Sequence, residues 1–369
     1  MIPEFDAMHD YLVVGAGLFG AVFARQMTDR GARCLVIDRR DHIGGNCHTE
    51  RVEGINVHRY GPHIFHTESR KVWDYMCRWT EFNRFRLRPK VTHGGKVYSF
   101  PINMMTMHQL WGVVTPAEAE ARLAEARVLV GSPGNLEEWV VSQVGWELYE
   151  KFIRGYTKKQ WNRDPKDLPA SIVKRLPIRL TYDEDYFNDR YQGIPVGGYT
   201  GIFERMLEGI PVELGVDFLG DRGRLEGRAR KVVYTGPIDE FFGYDMGHLE
   251  WRSLRFEREV MDVPNHQGVA VMNYTEEQVP YTRICEHKHF EFGTGDRTVV
   301  TREYPQDWQR GAEPYYPIND ERNNELYQRY RDRVDGTRYV MGGRLADYKY
   351  YDMHHVVGSA LARAEAEII

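Results

Sequence analysis

Residues 10–46 read DYLVVGAGLFGAVFARQMTDRGARCLVIDRRDHIGGN, and this stretch decides the fold class of the chain. A short apolar run enters a turn with glycines in GxGxxG spacing, and an amphipathic stretch and a second apolar run follow. This order is typical of a strand–helix–strand unit that binds a dinucleotide. Gly15 allows the tight turn, Gly17 lets a pyrophosphate approach the backbone, and Gly20 lets helix and strand pack closely. Asp38, 18 residues after Gly20, is placed to accept hydrogen bonds from an adenosine ribose.

A second glycine turn indicates which dinucleotide binds. Gly44, Gly45 and Asn46 begin six residues after Asp38, where NAD-binding folds usually continue directly into another helix. A glycine pair lets the backbone approach a second part of a longer cofactor. The pattern therefore favours FAD over NAD.

Composition excludes several classes of protein. The chain has 369 residues, of which 42% are hydrophobic and 28% charged, as in a globular protein with two or three structural units. A net charge of −5 and the lack of a basic run give no reason to expect nucleic acid. No apolar stretch reaches the ~18 residues of a membrane span, so we expect no membrane insertion. The absence of a signal peptide and four scattered cysteines without CxxC spacing predict a cytoplasmic protein without a metal site.

The remaining chain alternates between helical and strand patterns. Residues 69–80 and 104–162 have helical periodicity, with Thr115 and Asn135 as expected N-caps. Residues 85–100 predict a hairpin, and residues 176–187 and 251–304 alternate as in an antiparallel sheet. A strand, a glycine turn and a long helix are expected over 338–368. We thus predict an α/β fold in which a discontinuous Rossmann-like FAD-binding domain carries an inserted α-helical bundle and a twisted antiparallel β-sheet domain. The predicted boundaries are 1–80, 190–245 and 335–369 for the FAD domain, 102–175 for the helical domain, and 81–101, 176–189 and 246–334 for the sheet domain.

Histidines supply the first candidate site residues. His63 in RYGPHIFHT is a candidate to face the isoalloxazine ring, His66 is a weaker one, and either could be an ordinary loop histidine. His287 and His289 have HxH spacing on one expected strand face. Without a third ligand nearby, a hydrogen-bonded strand face is favoured over a metal pair.

Arginine and tyrosine cluster in two segments, GYTKKQW (155–161) and KRLPIRLTYDEDYF (174–187). Arginine makes paired, charge-assisted hydrogen bonds to phosphate, and aromatic faces stack on a base or a sugar. The two segments therefore suit a nucleoside diphosphate, although for each single arginine the sequence alone favours a solvated or salt-bridged surface residue. No nucleophile elbow, zinc signature, Walker motif or second Rossmann fingerprint is present, so a flavin would carry the chemistry.

The motifs together closely resemble those of the bacterial UDP-galactopyranose mutases, from Met8 to the final helix. The matching stretches are DYLVVGAGLFGAVFA, HIGGN, YGPHIFHT, GYTKKQW, RYQGIPVGGYT, YTGPID, VPYTRICEHKHF, EPYYPIND and GGRLADYKYYDMHHV. The resemblance implies an isomerase that interconverts UDP-galactopyranose and UDP-galactofuranose for surface glycans. It also implies that FAD is active when reduced, with its N5 atom as the nucleophile at the anomeric carbon, and that the protein is a homodimer. The alternative is an FAD-dependent oxidoreductase of the amine-oxidase type.

The resemblance also assigns roles to individual residues. The catalytic residues are expected to be Arg175 and Arg283, which hold the pyrophosphate, and His63. The expected cofactor residues are Gly15, Gly17, Phe19, Gly20, Asp38, Gly45, Asn46, His63, Ile64, Phe218, Arg344, Tyr351, Asp352 and Met353. The expected substrate residues are Phe152, Tyr156, Thr157, Trp161, Arg175, Tyr186, Arg252, Asn273, Arg283, Tyr315 and Tyr350. Leu87 departs from the pattern, because several bacterial relatives have an asparagine there that contacts uridine.

Overall fold

The computed structural model describes residues 8–174 and 177–367, and it shows the predicted mixed α/β architecture. The strands, in chain order β1 to β16, are His9–Val14, Cys34–Asp38, Thr49–Val52, Ile55–His58, Phe65–Thr67, Lys90–His93, Lys96–Ser99, Tyr191–Gly193, Val212–Leu214, Ala229–Tyr234, Trp251–Met261, Val271–Tyr274, Arg283–Glu286, Thr298–Asp307, Tyr316–Pro317 and Tyr339–Met341. The helices, α1 to α11, are Leu18–Thr28, Arg70–Cys77, Met104–Trp111, Pro116–Ala126, Leu136–Leu148, Gly155–Trp161, Thr200–Met206, Arg222–Glu226, Ile238–Phe241, Glu321–Arg331 and Met353–Ala366.

A parallel sheet forms the dinucleotide-binding part of the molecule. Its strand order is β16-β10-β1-β2-β9, and every neighbouring pair is parallel. The first strand lies between β10 and β2, so the glycine turn that follows β1 opens at the carboxyl edge of the sheet. In open α/β sheets this edge is where ligands bind. The sheet therefore places the turn beside the loops that follow β2, β10 and β16.

The first helix is buried on most of its surface. Leu18, Phe19, Ala21, Val22 and Phe23 are all buried, because α1 packs on the sheet and against α7 and α11. Burial on several sides explains why its sequence is apolar nearly all round. The helix is thus fixed with its N-terminus at the glycine turn.

A second sheet has the order β15-β11-β14-β13-β12-β6-β7. All its pairs are antiparallel except β12 with β6. The register places Arg283 of β13 opposite Asn273 on one side and Glu303 on the other. A row of polar side chains thus crosses three adjacent strands at one level.

The helical part has its own core, and its helix starts are as predicted. Thr115 accepts from the Glu118 amide in a capping box with Pro116 at the first helical position, and Asn135 caps α5. Between α5 and α6, residues Tyr149–Arg154 form a π-helical turn, a conformation that is frequent at functional sites. The chain enters α6 directly from this turn.

Two local predictions are wrong. The described residues 177–190 form no strand, because only isolated backbone hydrogen bonds join them to neighbouring segments, such as that from the Tyr186 amide to the Leu87 carbonyl at 2.7 Å, and these make no ladder. Side chains add further links, since Asp185 pairs with Arg86 and Arg88 just before the hairpin. Residues His287–Glu291 form a 3₁₀ turn after β13, so His287 and His289 do not share a strand face. The helix within 69–80, the hairpin of β6 and β7 and the final helix are confirmed.

No helix among residues 8–174 and 177–367 is both long and apolar enough to cross a membrane.

Candidate active site

A cavity of about 530 Å³ runs from the glycine turn after β1 to helix α6. All the predicted cofactor residues line it, namely Gly15, Gly17, Phe19, Gly20, Asp38, Gly45, Asn46, His63, Ile64, Phe218, Arg344, Tyr351, Asp352 and Met353. Most of the predicted substrate residues line it too, namely Phe152, Tyr156, Thr157, Trp161, Tyr186, Asn273, Arg283, Tyr315 and Tyr350. The structure therefore joins the two predicted groups in one continuous space.

The two glycine turns fit a pyrophosphate. A Cβ atom on Gly45 would lie 3.0 Å from the Cα atom of Gly17, so the turns approach each other at backbone distance. Gly45 also has a φ angle of +54°, a conformation that side chains disfavour. Any side chain at these positions would fill the slot between the turns, so both positions require glycine if a cofactor phosphate is to lie there.

The Asp38 carboxylate holds the backbone beside this slot in place through two hydrogen bonds. One of its carboxylate oxygens accepts the Ala16 amide at 2.7 Å and the other accepts the Arg40 amide at 2.9 Å. The carboxylate thus ties the glycine turn to the end of β2. Each oxygen keeps a further lone pair, which suits the ribose role predicted for Asp38.

His63 is half-buried in the cavity wall, and its ring is in the neutral form. Its Nδ1 lies 2.8 Å from the carbonyl oxygen of Gly61, and its backbone amide donates to His58 Nδ1 at 3.0 Å. Burial lowers the pKa of His63 to about 4, against a smaller opposing effect of the Gly61 carbonyl. At neutral pH the ring therefore offers hydrogen bonds and contact surface but no charge.

Buried neutral histidines make the fold sensitive to acid. His287, buried with Nε2 2.8 Å from Thr301 Oγ1, has a pKa of about 3 because of burial and the nearby Arg258. Its pKa is near 6.5 in the unfolded chain, so only the unfolded state gains this proton as pH falls from about 6.5 to 3. The free energy of unfolding of the wild type therefore falls as the pH falls through this window. We expect the same curve for His287→Gln to be less steep, by about 1.4 kcal/mol per pH unit. Urea unfolding at pH 6.5, 5.5 and 4.5 measures the slopes, and parallel slopes for the two proteins would contradict the prediction.

Arg283 is a charged group in the part of the cavity that the predicted substrate residues line, which we call the chamber. Its Nη2 donates to the Tyr156 hydroxyl at 2.9 Å, and its Nε lies 3.2 Å from Glu303 Oε1. Burial lowers the pKa of Arg283, but Glu303 and neighbouring tyrosines outweigh this effect, so the guanidinium stays charged. Burial raises the pKa of the Glu303 carboxyl, and Arg283 opposes that rise. Glu303 and Tyr156 thus hold the Arg283 guanidinium in a fixed place at the cavity wall.

Glu303 is a site residue that the sequence analysis missed. It lines the cavity, and only about 2% of its surface is exposed. Its strand pattern, TVVTREY, alternates like many others and does not indicate which face is buried. The register of β13 against β14, which puts Glu303 opposite Arg283, supplies the signal that the sequence lacks.

Two of the predicted site residues do not line this cavity within the described part of the chain. Arg252 is buried behind α6, where it donates to the carbonyl of Gln160 at 2.8 Å and pairs with Asp307. It lines a second cavity instead of the one that holds Arg283. Arg175 lies outside the described residues, so its predicted role stays a prediction.

One histidine cluster lies at the edge of the cavity. Ligand atoms of His66, Asp352 and His354 are all within 4.8 Å of one another, and Asp189 accepts from His66 Nδ1. His66 and Asp352 also line the cavity. The predicted absence of a metal stays a prediction.

One cavity joins the parallel sheet with its glycine turns to a chamber of arginine and aromatic side chains. This arrangement defines a nucleotide-binding enzyme of the flavoprotein type. A sequence model of the UDP-galactopyranose mutase family matches residues 151–350, and a model of NAD(P)-binding Rossmann-like domains matches residues 13–79. The chain belongs to the UDP-galactopyranose mutase family, whose members are isomerases, and membership implies FAD as the cofactor.

Individual relatives agree with this placement. A probable UDP-galactopyranose mutase from Klebsiella pneumoniae is 41% identical over 362 residues, which cover 96% of this chain and 93% of that protein. A dTDP-fucopyranose mutase from Escherichia coli is 37% identical over 372 residues, covering 98% and 99%. The crystal structure of a reduced UDP-galactopyranose mutase has a TM-score of 0.73 at 15% identity, covering 97% of this chain and 95% of that one. This last likeness shows that the fold is shared.

Proposed function

We propose that the protein interconverts UDP-galactopyranose and UDP-galactofuranose, with FAD bound in its reduced state. The observation that carries the proposal is the placement of Arg283, a half-buried cation held between Tyr156 and Glu303 in a cavity that continues to the glycine turns. Such a cation suits a pyrophosphate that lies between a cofactor on one side and aromatic side chains on the other.

When bound and reduced, FAD supplies a nucleophilic nitrogen, N5, for the anomeric carbon of the sugar. Arg283, together with Arg175, would hold the pyrophosphate and neutralise the charge that develops as UDP leaves. Tyr156 and Trp161 would pack against the base and the sugar, and neutral His63 would contact the flavin ring without adding charge. The buried walls around these groups would limit the access of water to the reacting carbon.

A reduction-dependence assay tests this proposal. FAD-loaded protein is incubated with UDP-galactofuranose, with and without dithionite, and the products are separated by chromatography. We expect UDP-galactopyranose to form only after reduction. Full FAD occupancy without interconversion would contradict the proposal, and consumption of a reducing or oxidising equivalent per turnover would favour the amine-oxidase alternative.

The apolar side chain of Leu87 in the cavity wall favours a second candidate substrate. Leu87 is buried and lines the cavity, and it has no side-chain donor for a uracil carbonyl. Thymine differs from uracil by a methyl group, which an apolar side chain can bury. Because one relative is named a dTDP-fucopyranose mutase, we propose dTDP-fucopyranose as the alternative substrate for the same site.

Leu87→Asn distinguishes the two candidates. Since burial of one methyl group stabilises by about 0.8 kcal/mol, we expect the variant to shift the ratio of kcat/KM for UDP-galactose against dTDP-fucose about 4-fold toward UDP-galactose. Competition between the two sugars in one reaction measures this ratio. An unchanged ratio would show that Leu87 does not contact the base.

We also expect a homodimer located in the cytoplasm, and light scattering of purified protein measures its mass. The domain boundaries stay predictions.

A further inference from the structure

Helix α6, which contributes several side chains to the chamber, packs against the turn that follows strand β12 of the second sheet. Helix α6 brings Tyr156, Thr157 and Trp161 to the cavity. The turn, residues 275–282, connects β12 to β13, the strands that carry Asn273 and Arg283. The two halves of the proposed substrate site thus belong to segments that are more than a hundred residues apart in the chain.

Lys159 joins these two segments. Its ammonium group donates to the carbonyl oxygens of Tyr274 at 2.7 Å, Tyr281 at 2.9 Å and Val279 at 3.0 Å. An ammonium has three N–H donors, so these three bonds use all of them. One acceptor directly follows Asn273 in the chain, and another lies two residues before Arg283. Lys159 therefore closes the turn and holds the helix to it.

The neighbouring contacts show that this docking is close. A Cβ atom on Gly155, at the start of α6, would lie 2.1 Å from the carbonyl oxygen of Thr275, so the helix touches the turn at backbone distance. On the other side of the same junction, Arg283 donates to the Tyr156 hydroxyl. A small displacement of the helix would therefore change the distance between the aromatic wall and the arginine.

We propose that Lys159 is a positioning residue for the substrate: it does not line the cavity, but it sets the distance between helix α6 and the strand that carries Arg283. The inference rests on the proposed function, because it assumes that a nucleoside diphosphate spans Tyr156 and Arg283. Misplaced groups on either side bind the diphosphate less tightly, while the cofactor end is unaffected.

The chain offers a matched control one residue away. Lys158 lies on the same helix and reaches the same turn, but its partner is the side chain of Glu277 at 2.9 Å, an exposed ion pair of the kind that contributes little. Lys158→Met and Lys159→Met thus remove the same group from adjacent positions. Only Lys159→Met also takes the hydrogen-bond donor away from three backbone carbonyl oxygens.

Binding of UDP to FAD-loaded protein, measured by calorimetry, tests the inference. We expect Lys159→Met to raise the Kd about tenfold with unchanged FAD content, Lys158→Met to stay within about twofold, and Lys159→Arg to recover most of the loss. In turnover, we expect KM to rise about tenfold and kcat to change less than threefold. Equal UDP affinity in Lys159→Met and wild type contradicts the inference alone, whereas a wild type that does not bind UDP contradicts the proposed function.

Gly155→Ala provides an independent route to the same result, because its methyl group would push the helix off the Thr275 carbonyl. We expect it also to weaken UDP binding while FAD stays bound. If neither Lys159→Met nor Gly155→Ala can be obtained as FAD-loaded protein, the contact holds the fold and not the site, and the inference is overturned.

Discussion

Arg283→Ala is expected to lower kcat/KM for UDP-galactofuranose by about 10²–10³-fold, the usual effect of removing one group that stabilises developing charge. The guanidinium is half-buried and charged, and its partners Tyr156 and Glu303 cannot supply a cation in its place. Initial rates of the reduced, FAD-loaded variant measure the loss. Arg175→Ala is expected to act in the same direction if both arginines hold the pyrophosphate.

The control for Arg283→Ala is Arg302→Ala on the adjacent strand. Arg302 forms a partly exposed pair with Glu259, so its removal should leave the rate within about twofold. The flavin spectrum must show that Arg283→Ala keeps its FAD. Near-normal activity in both Arg283→Ala and Arg175→Ala would mean that the phosphate site lies elsewhere in the molecule.

Glu303→Ala is expected to reduce the free energy of unfolding by about 1–3 kcal/mol, because it leaves the Arg283 guanidinium, whose side chain is 23% exposed, without its partner carboxylate. Glu303→Gln keeps the shape and one acceptor oxygen, so we expect a smaller loss from it. Denaturant titration of the FAD-loaded proteins compares the variants. A loss below about 1 kcal/mol in Glu303→Ala would show that water or Tyr156 replaces the carboxylate.

The meeting of the predicted cofactor residues in one cavity could be foreseen from local sequence, because these residues follow one another in known turns. Gly15, Gly17, Asp38 and Gly45 all lie within 31 residues, and each has a geometric reason to be where it is. The structure brings these residues together at the edge of the parallel sheet. Here local pattern and tertiary position agree.

The substrate half could be predicted only in part, since it depends on how distant segments meet. The sequence shows that Arg283 lies near aromatic residues, but the strand register alone reveals Glu303 as its partner. Arg252 illustrates the opposite case, because the structure places it behind α6 and not in the cavity. The contact of Lys159 with three backbone carbonyls has no sequence signature at all, since any residue can supply a carbonyl.

The strand order of the parallel sheet has a consequence for the synthesis of this protein. The glycine turn after β1 leaves the ribosome well before β16, which borders β10, and before α11, which covers α1. Contacts such as Lys231 with Glu367 at 2.7 Å join the sheet to the residue after that final helix. Residues that follow β16, among them Arg344, Tyr351 and Asp352, also line the cavity. The nascent chain therefore carries its glycine fingerprint more than three hundred residues before the walls of the cavity are complete.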